Sequence, residues 1–202
     1  VGCNDVAAAW IAQLATNGFA LVPLVHGAIH PMVRVDEHGD GRVATRSGYV
    51  RIQGLQDDVA LWPHARALVV PTAREPLSNE MAAALAPEPG REQLGGIAEW
   101  DLAFWVAAAD QRAGMLVNLN DGGGSSARVD AASGTTEWGG PQGRALAKDL
   151  LAHVQVWFDA GRPAAEDHRL RFVPIDQSVL PADDAWVIDR VDHHQVIARD
   201  DR

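Results

Sequence analysis

Asp5-Val6-Ala7-Ala8-Ala9-Trp10-Ile11-Ala12-Gln13-Leu14-Ala15-Thr16-Asn17-Gly18-Phe19-Ala20-Leu21-Val22-Pro23-Leu24 compresses a helix, a tight turn and a strand into one short run. Trp10, Ile11 and Leu14 fall at helical spacing and form one apolar edge. Asp5 is placed to cap the helix N-terminus. Asn17-Gly18 is a pair able to adopt positive φ, which ends the helix. Residues 19–24 are almost wholly apolar, which predicts a strand covered on both faces. The chain is therefore expected to open inside an α/β sheet whose earlier strands lie upstream.

Working outward, Val25-His26-Gly27-Ala28-Ile29-His30-Pro31 reads as a loop. Met32-Val33-Arg34-Val35-Asp36 alternates apolar and polar, as a half-buried strand does. Glu37-His38-Gly39-Asp40-Gly41 is a hairpin turn, and residues 42–53 supply the return strand. Trp10, Gln13-Leu14, Gly18 and Val22-Pro23 match a pattern of helix, Gly-Gly turn and apolar strand ending in Pro. Val50-Arg51-Ile52-Gln53-Gly54-Leu55 follows where that pattern has Val-Arg-Phe-x-Pro-Leu. In order and spacing, residues 2–55 resemble the end of the methyltransferase domain in the protein-L-isoaspartate O-methyltransferase family. Three positions depart from it: Ala7 stands for a Pro, Asn17 for the first Gly, and Gly54 for a Pro. The resemblance implies the tail of a class I methyltransferase sheet, closed at its edge by a β-hairpin. It also implies S-adenosylmethionine as methyl donor for the parent enzyme and a protein or peptide carboxylate as acceptor.

The 202 residues suffice for one large domain or two small ones. A net charge of −10 argues against sequence-independent nucleic-acid binding and against docking on anionic membranes. No apolar run spans a bilayer, and no leader pattern is present. A single cysteine, Cys3, excludes an intrachain disulfide and a Cys-rich zinc site, which makes a cytoplasmic location the simplest expectation. Val1 in place of an initiating Met suggests truncation or processing of a longer protein.

From Asp57-Asp58 onward the composition shifts, so two domains are expected: residues 1–56, the end of a Rossmann-type methyltransferase domain, and residues 57–202, an α+β accessory domain with an antiparallel sheet. Strands are expected at 66–71, 114–120, 126–130, 135–138 and 169–174, with a closing hairpin, 185–188 and 195–198, turning at Asp192-His193-His194. Helices are expected at 77–85, capped by Ser78 or Asn79, and at 97–108. The strongest helix is 143–159: Leu146, Leu150, Val154 and Trp157 make one stripe, Pro141 suits its start, Gly161 its cap, and Pro163 blocks continuation. Asp101-Leu102-Ala103-Phe104-Trp105, the run Gly122-Gly123-Gly124, and Gly140-Pro141-Gln142-Gly143 with Leu146, Leu150 and Trp157 resemble an extra C-terminal domain of certain bacterial members of the same family.

A catalytic centre is not evident. Gly122-Gly123-Gly124 is the only glycine run, and it joins two short strands rather than a strand and a long helix, so a flexible turn is favoured over a nucleotide loop. His193-His194 are adjacent and would point to opposite faces of a strand, and His26 and His30 lie in a loop, so a metal site is not expected. Ser125-Ser126 lack a nucleophile elbow and a base. Asp57-Asp58 and Asp183-Asp184 read as loop solubilisers. Trp157 reads as core, and Trp100 and Trp105 read as core before peptide anchors. Cys3 reads as a small buried residue rather than a reactive thiol.

The expected function is the C-terminal portion of an S-adenosylmethionine-dependent carboxyl methyltransferase. It would complete the sheet of an upstream methyltransferase domain and recognise a protein or peptide substrate, with no cofactor bound by this chain alone. The alternative is a stand-alone, non-catalytic binding module derived from such a domain. A substrate carboxylate calls for a planar bidentate donor, and Arg34, Arg46 and Arg51 on the hairpin are the candidates, against the simpler reading of solvated strand residues.

Overall fold

The computed structural model describes residues 3–27, 29–45, 69–86, 97–114, 117–180 and 182–200. Its elements in chain order are α1 (Ala8–Ala12), β1 (Phe19–Pro23), β2 (Met32–Asp36), β3 (Asp40–Thr45), β4 (Ala73–Pro76), α2 (Asn79–Leu85), α3 (Ile97–Ala109), β5 (Asn118–Asn120), β6 (Ser126–Asp130), β7 (Thr135–Gly139), α4 (Gly143–Asp159), a 3-10 turn (Ala165–Asp167), β8 (His168–Pro174), β9 (Trp186–Asp189) and β10 (His193–Arg199). The protein is a mixed helix and strand structure with two antiparallel sheets.

The opening stretch folds largely as its pattern predicts. Asn17 has φ 62° and turns the chain between α1 and β1. Asp5 does not cap α1, whose N-cap is Ala7 without a side-chain bond. Its carboxylate instead accepts the Val6 amide at 2.7 Å and the Asp192 amide at 2.6 Å, because the C-terminal hairpin competes for it. β1, β2 and β3 form an antiparallel meander. On the other edge of β1, Cys3 pairs with Leu24 in parallel. There the Cys3 amide donates to Pro23 O at 2.7 Å and the Val25 amide to Cys3 O at 2.8 Å.

The division expected at residues 56 and 57 is not where the compact units part. One unit comprises Val1–His26, His30–Leu61 and Ala165–Arg202; the other comprises Gly27–Ile29 and Trp62–Ala164. The reason is backbone hydrogen bonding. The far edge of β3 carries donors and acceptors that need partners, and β8 supplies them in the register Asp40↔Arg171, Gly41↔Leu170 and Arg42↔Arg169. The C-terminal strands thus join the N-terminal sheet, in the order β1-β2-β3-β8-β10-β9. The hairpin turn falls at 190–192, so His193 and His194 belong to β10 rather than to the turn.

One face of this sheet buries Val22, Val33, Val35, Val43, Leu170, Phe172, Ile188 and Ile197. The opposite face is covered only in part: the Asp200 side chain is 2% exposed there. On it Phe19 and Leu21 remain 50% and 54% exposed, so β1 is not covered on both faces as its apolar run predicts. An unbroken apolar run gives the propensity of a strand but does not name what covers each face.

The second unit holds the sheet β4-β7-β6-β5 with α4 packed on β5, β6 and β7. Leu146, Leu150, Val154 and Trp157 are all buried along α4, as their stripe predicts. Gly161 follows the helix with φ 84°, the left-handed conformation that a C-terminal cap needs. Ser78 Oγ accepts the Met81 amide at 3.2 Å, capping α2. Of the strand expected at 66–71, residues 66–68 lie outside the described residues and 69–71 are not a strand; the pairing strand is β4, a few residues later. β5 likewise begins only at Asn118, after the expected strand start at 114. Trp105 is buried, and half-buried Trp100 stacks on Phe104 with ring centroids 6.3 Å apart.

Candidate functional site

The partly covered face of the six-stranded sheet gathers arginines. In an antiparallel pair, residues directly opposite project to the same face. Arg34 on β2 is opposite Arg42 on β3, and Arg42 is opposite Arg169 on β8. These three therefore stand in one row across neighbouring strands spaced about 4.8 Å apart. Arg171, two residues along β8, occupies the same face opposite Asp40. The side chains of Arg42, Arg169 and Arg171 are 40%, 65% and 70% exposed, and Arg34 is exposed as well.

Each guanidinium is held differently. The Arg34 guanidinium carbon lies 4.4 Å from the centroid of the Phe19 ring, a cation–π contact. Arg42 Nη2 and Arg169 Nη2 meet the two oxygens of Asp200 at 2.7 and 2.6 Å. The Asp200 side chain is only 2% exposed, so it acts as a fixed pin between the two arginines. Arg171 Nε stands 3.8 Å from Asp40, too long for a hydrogen bond. Asp36 lies on the same strand face, but its carboxylate is engaged by the amides of His38 and Asp40 at 2.9 and 3.0 Å. Three of the four positive charges on this face thus have a carboxylate neighbour at 3.8 Å or less, and Arg42 Nη1 is buried.

Of the arginines singled out from sequence, Arg34 takes part in this face. Arg46 and Arg51 lie outside the described residues, as do the Val50–Leu55 motif and Asp57-Asp58. Sequence reasoning missed Arg42, Arg169 and Arg171. The alternation Arg169-Leu170-Arg171 is the local signal that both arginines share one strand face. Nothing local says which strand lies next to it.

A second polar cluster in the same unit is buried. Arg190 donates to Gln195 Oε1 at 2.6 Å, to Asn4 O at 2.6 Å and to Val25 O at 3.0 Å. Burial pushes its pKa down to about 9, and the Asp5 carboxylate pulls in the opposite direction. His193 Nδ1 approaches Asp5 Oδ1 at 3.4 Å, close enough for a charge interaction, but without the alignment of a hydrogen bond. This cluster ties the N-terminal segment to the C-terminal hairpin; it is closed to solvent and is structural.

The remaining candidates resolve into scaffolding. Asp110 chelates Arg112, which also reaches Asp149, and His153 approaches Asp110 at 3.4 Å. Burial alone would raise the Asp110 pKa, but the bonds from His153 and Arg112 outweigh it and hold the carboxyl well below its usual range. Ser125 Oγ accepts the Gln142 amide and Ser126 Oγ the Val69 amide, so both serines brace loops. Cys3 is half-buried, and burial raises its thiol pKa, the opposite of an activated nucleophile. Two clefts of about 390 and 220 Å³ occur in the second unit, the larger lined by Trp157, Asp101 and Arg162.

Gly122-Gly123-Gly124 connects β5 to β6, with the Asp121 carboxylate accepting the Gly123 and Ser125 amides. A hairpin turn of this kind does not fit S-adenosylmethionine, which needs a strand-to-helix loop. Among the described residues no group of His, Cys, Asp and Glu could hold a metal ion, and no helix is long and apolar enough to cross a membrane. Compared with family models, with curated proteins and with solved structures, the chain finds no match in any of the three.

Proposed function

We propose that this chain is the C-terminal portion of a cytoplasmic, S-adenosylmethionine-dependent carboxyl methyltransferase similar to protein-L-isoaspartate O-methyltransferases. The observation that carries the reading is the parallel pairing of Cys3 with Leu24 across α1. Parallel neighbours joined through a helix are the repeating unit of a doubly wound sheet, and from β1 onward the sheet continues antiparallel through β2, β3, β8, β10 and β9. In this reading the methyl donor is held upstream, and the chain completes the sheet and presents recognition surface to a protein or peptide substrate.

The test is methyl transfer from labelled S-adenosylmethionine to an isoaspartyl peptide and to other carboxylate peptides, using the whole gene product. Calorimetry on the 202-residue chain alone accompanies it and is expected to show no cofactor binding. A gene product that methylates no carboxylate overturns the reading and leaves a non-catalytic binding module in its place. Micromolar cofactor binding by the chain alone overturns the assignment of the cofactor site to upstream residues.

A further inference from the structure

We propose that Arg190 is a positioning residue for methyl transfer: its guanidinium holds the two loops that leave the carboxyl ends of the parallel strand pair, one from Asn4 and the other from Val25. The inference rests on the methyltransferase reading and adds to it a residue of this chain that sets the geometry of the reaction.

The parallel ladder ends at this side chain. Cys3 and Leu24 pair in parallel, with the Cys3 amide bonded to Pro23 O and the Val25 amide to Cys3 O. The next rung of a parallel ladder would run from the Asp5 amide to Val25 O. Val25 O instead accepts Arg190 Nη2 at 3.0 Å, and Asn4 O, on the other strand, accepts Nη1 at 2.6 Å. One planar fork thus takes a carbonyl from each strand, at the residue just past the last paired one. Nε donates to Gln195 Oε1 at 2.6 Å, which fixes the fork against β10. Asp5 turns its carboxylate to the Val6 and Asp192 amides. Arg190 is buried, so these bonds are shielded from competing water.

Position gives the contact its role. In a parallel α/β sheet, ligands bind outside the carboxyl ends of the strands, and the loops that leave those ends carry the functional contacts. Asn4 and Val25 open those loops on the two parallel strands of this chain. Tying both carbonyls to one rigid guanidinium fixes the loops against each other. The side chain is closed to solvent, so it acts through the backbone it holds and not by touching substrate. It comes from the turn before β10, far from either loop in sequence. A lysine at this position keeps the positive charge that faces Asp5, but its compact ammonium lacks the planar fork that spans the two carbonyls and Gln195. Misplacing reacting groups by about 1 Å costs about a hundredfold in rate.

The experiment measures methyl transfer from labelled S-adenosylmethionine to an isoaspartyl peptide by the whole gene product. Arg190→Lys and Arg190→Met are compared with Leu150→Ala, which removes a fully buried side chain of the second unit and so lowers stability without touching either loop. Each variant is assayed below its melting temperature, with circular dichroism reporting the folded state. Both Arg190 variants are expected to lose about a hundredfold in kcat, with KM for the peptide largely unchanged, while Leu150→Ala keeps the kcat of the parent. An active parent whose Arg190→Lys variant keeps kcat within about tenfold overturns this inference and leaves the methyltransferase reading standing. So does an equal loss in Leu150→Ala, a loss confined to KM, or a failure of both Arg190 variants to fold, since each makes the residue structural only. A parent that methylates no carboxylate overturns the methyltransferase reading and this inference with it.

Discussion

Replacing Arg190 by Met tests how the two ends of the chain are joined. The guanidinium is buried and donates three bonds, to Gln195, Asn4 O and Val25 O, while facing the Asp5 carboxylate. Methionine fills similar volume but donates nothing. Two backbone carbonyls and a largely buried carboxylate are then left without their cation. Breaking a buried ionic cluster from one side costs about 3–5 kcal/mol, more than the net value of the intact cluster, because the stranded partners stay desolvated. For a chain of this size that corresponds to a fall in melting temperature of roughly 6–20 °C, at about 2–4 °C per kcal/mol. Thermal unfolding followed by circular dichroism reads the loss. Hydrogen exchange at the β9–β10 hairpin locates it, since the Arg190 amide itself bonds His193 O at 2.8 Å. The Asp5→Asn, Arg190→Met double variant should recover part of the loss, as removing both charges leaves neither stranded. A single variant melting within 2 °C of the parent, by the same roughly 2–4 °C per kcal/mol, would refute the reasoning.

Three further outcomes are expected. Leu150→Ala removes a fully buried side chain from α4 and should cost about 2–5 kcal/mol, read by chemical denaturation. Gly140 has φ 83°, and a Cβ there would run into Gly124 O and Ser125; Gly140→Ala should destabilise the second unit, visible as earlier proteolysis between β7 and α4. Asp110 has a folded pKa below its unfolded value, so its stabilisation is present above the unfolded carboxylate range and is lost as pH falls through the folded value. Asp110→Asn should therefore lower stability at neutral pH by about 1.5–3 kcal/mol, with the gap to the parent closing under strong acid. A gap that stays constant down to pH 2, well below the usual carboxylate pKa of about 3.9, would remove Asp110 from that role.

The pattern of α4 was complete in the sequence. Leu146, Leu150, Val154 and Trp157 lie on one stripe whose period is local, and Gly161 marks the end because only a left-handed residue serves there. The alternation of β2 and the Asn17-Gly18 turn were legible for the same reason: each depends on neighbours a few residues away. Arg34 could be placed on a strand face, but not in one row with Arg42 and Arg169, because strand pairing is a long-range choice made by complementary edges and a shared core. Asp5 is a fitting cap by type and position, yet the Asp192 amide and the buried Arg190 drew it away from α1. Tertiary structure alone decided that β8 lies next to β3, and with it the arginine face and the division of the chain. A hydrogen-bonding edge can be satisfied by any strand of matching register, and only the folded chain determines which one arrives.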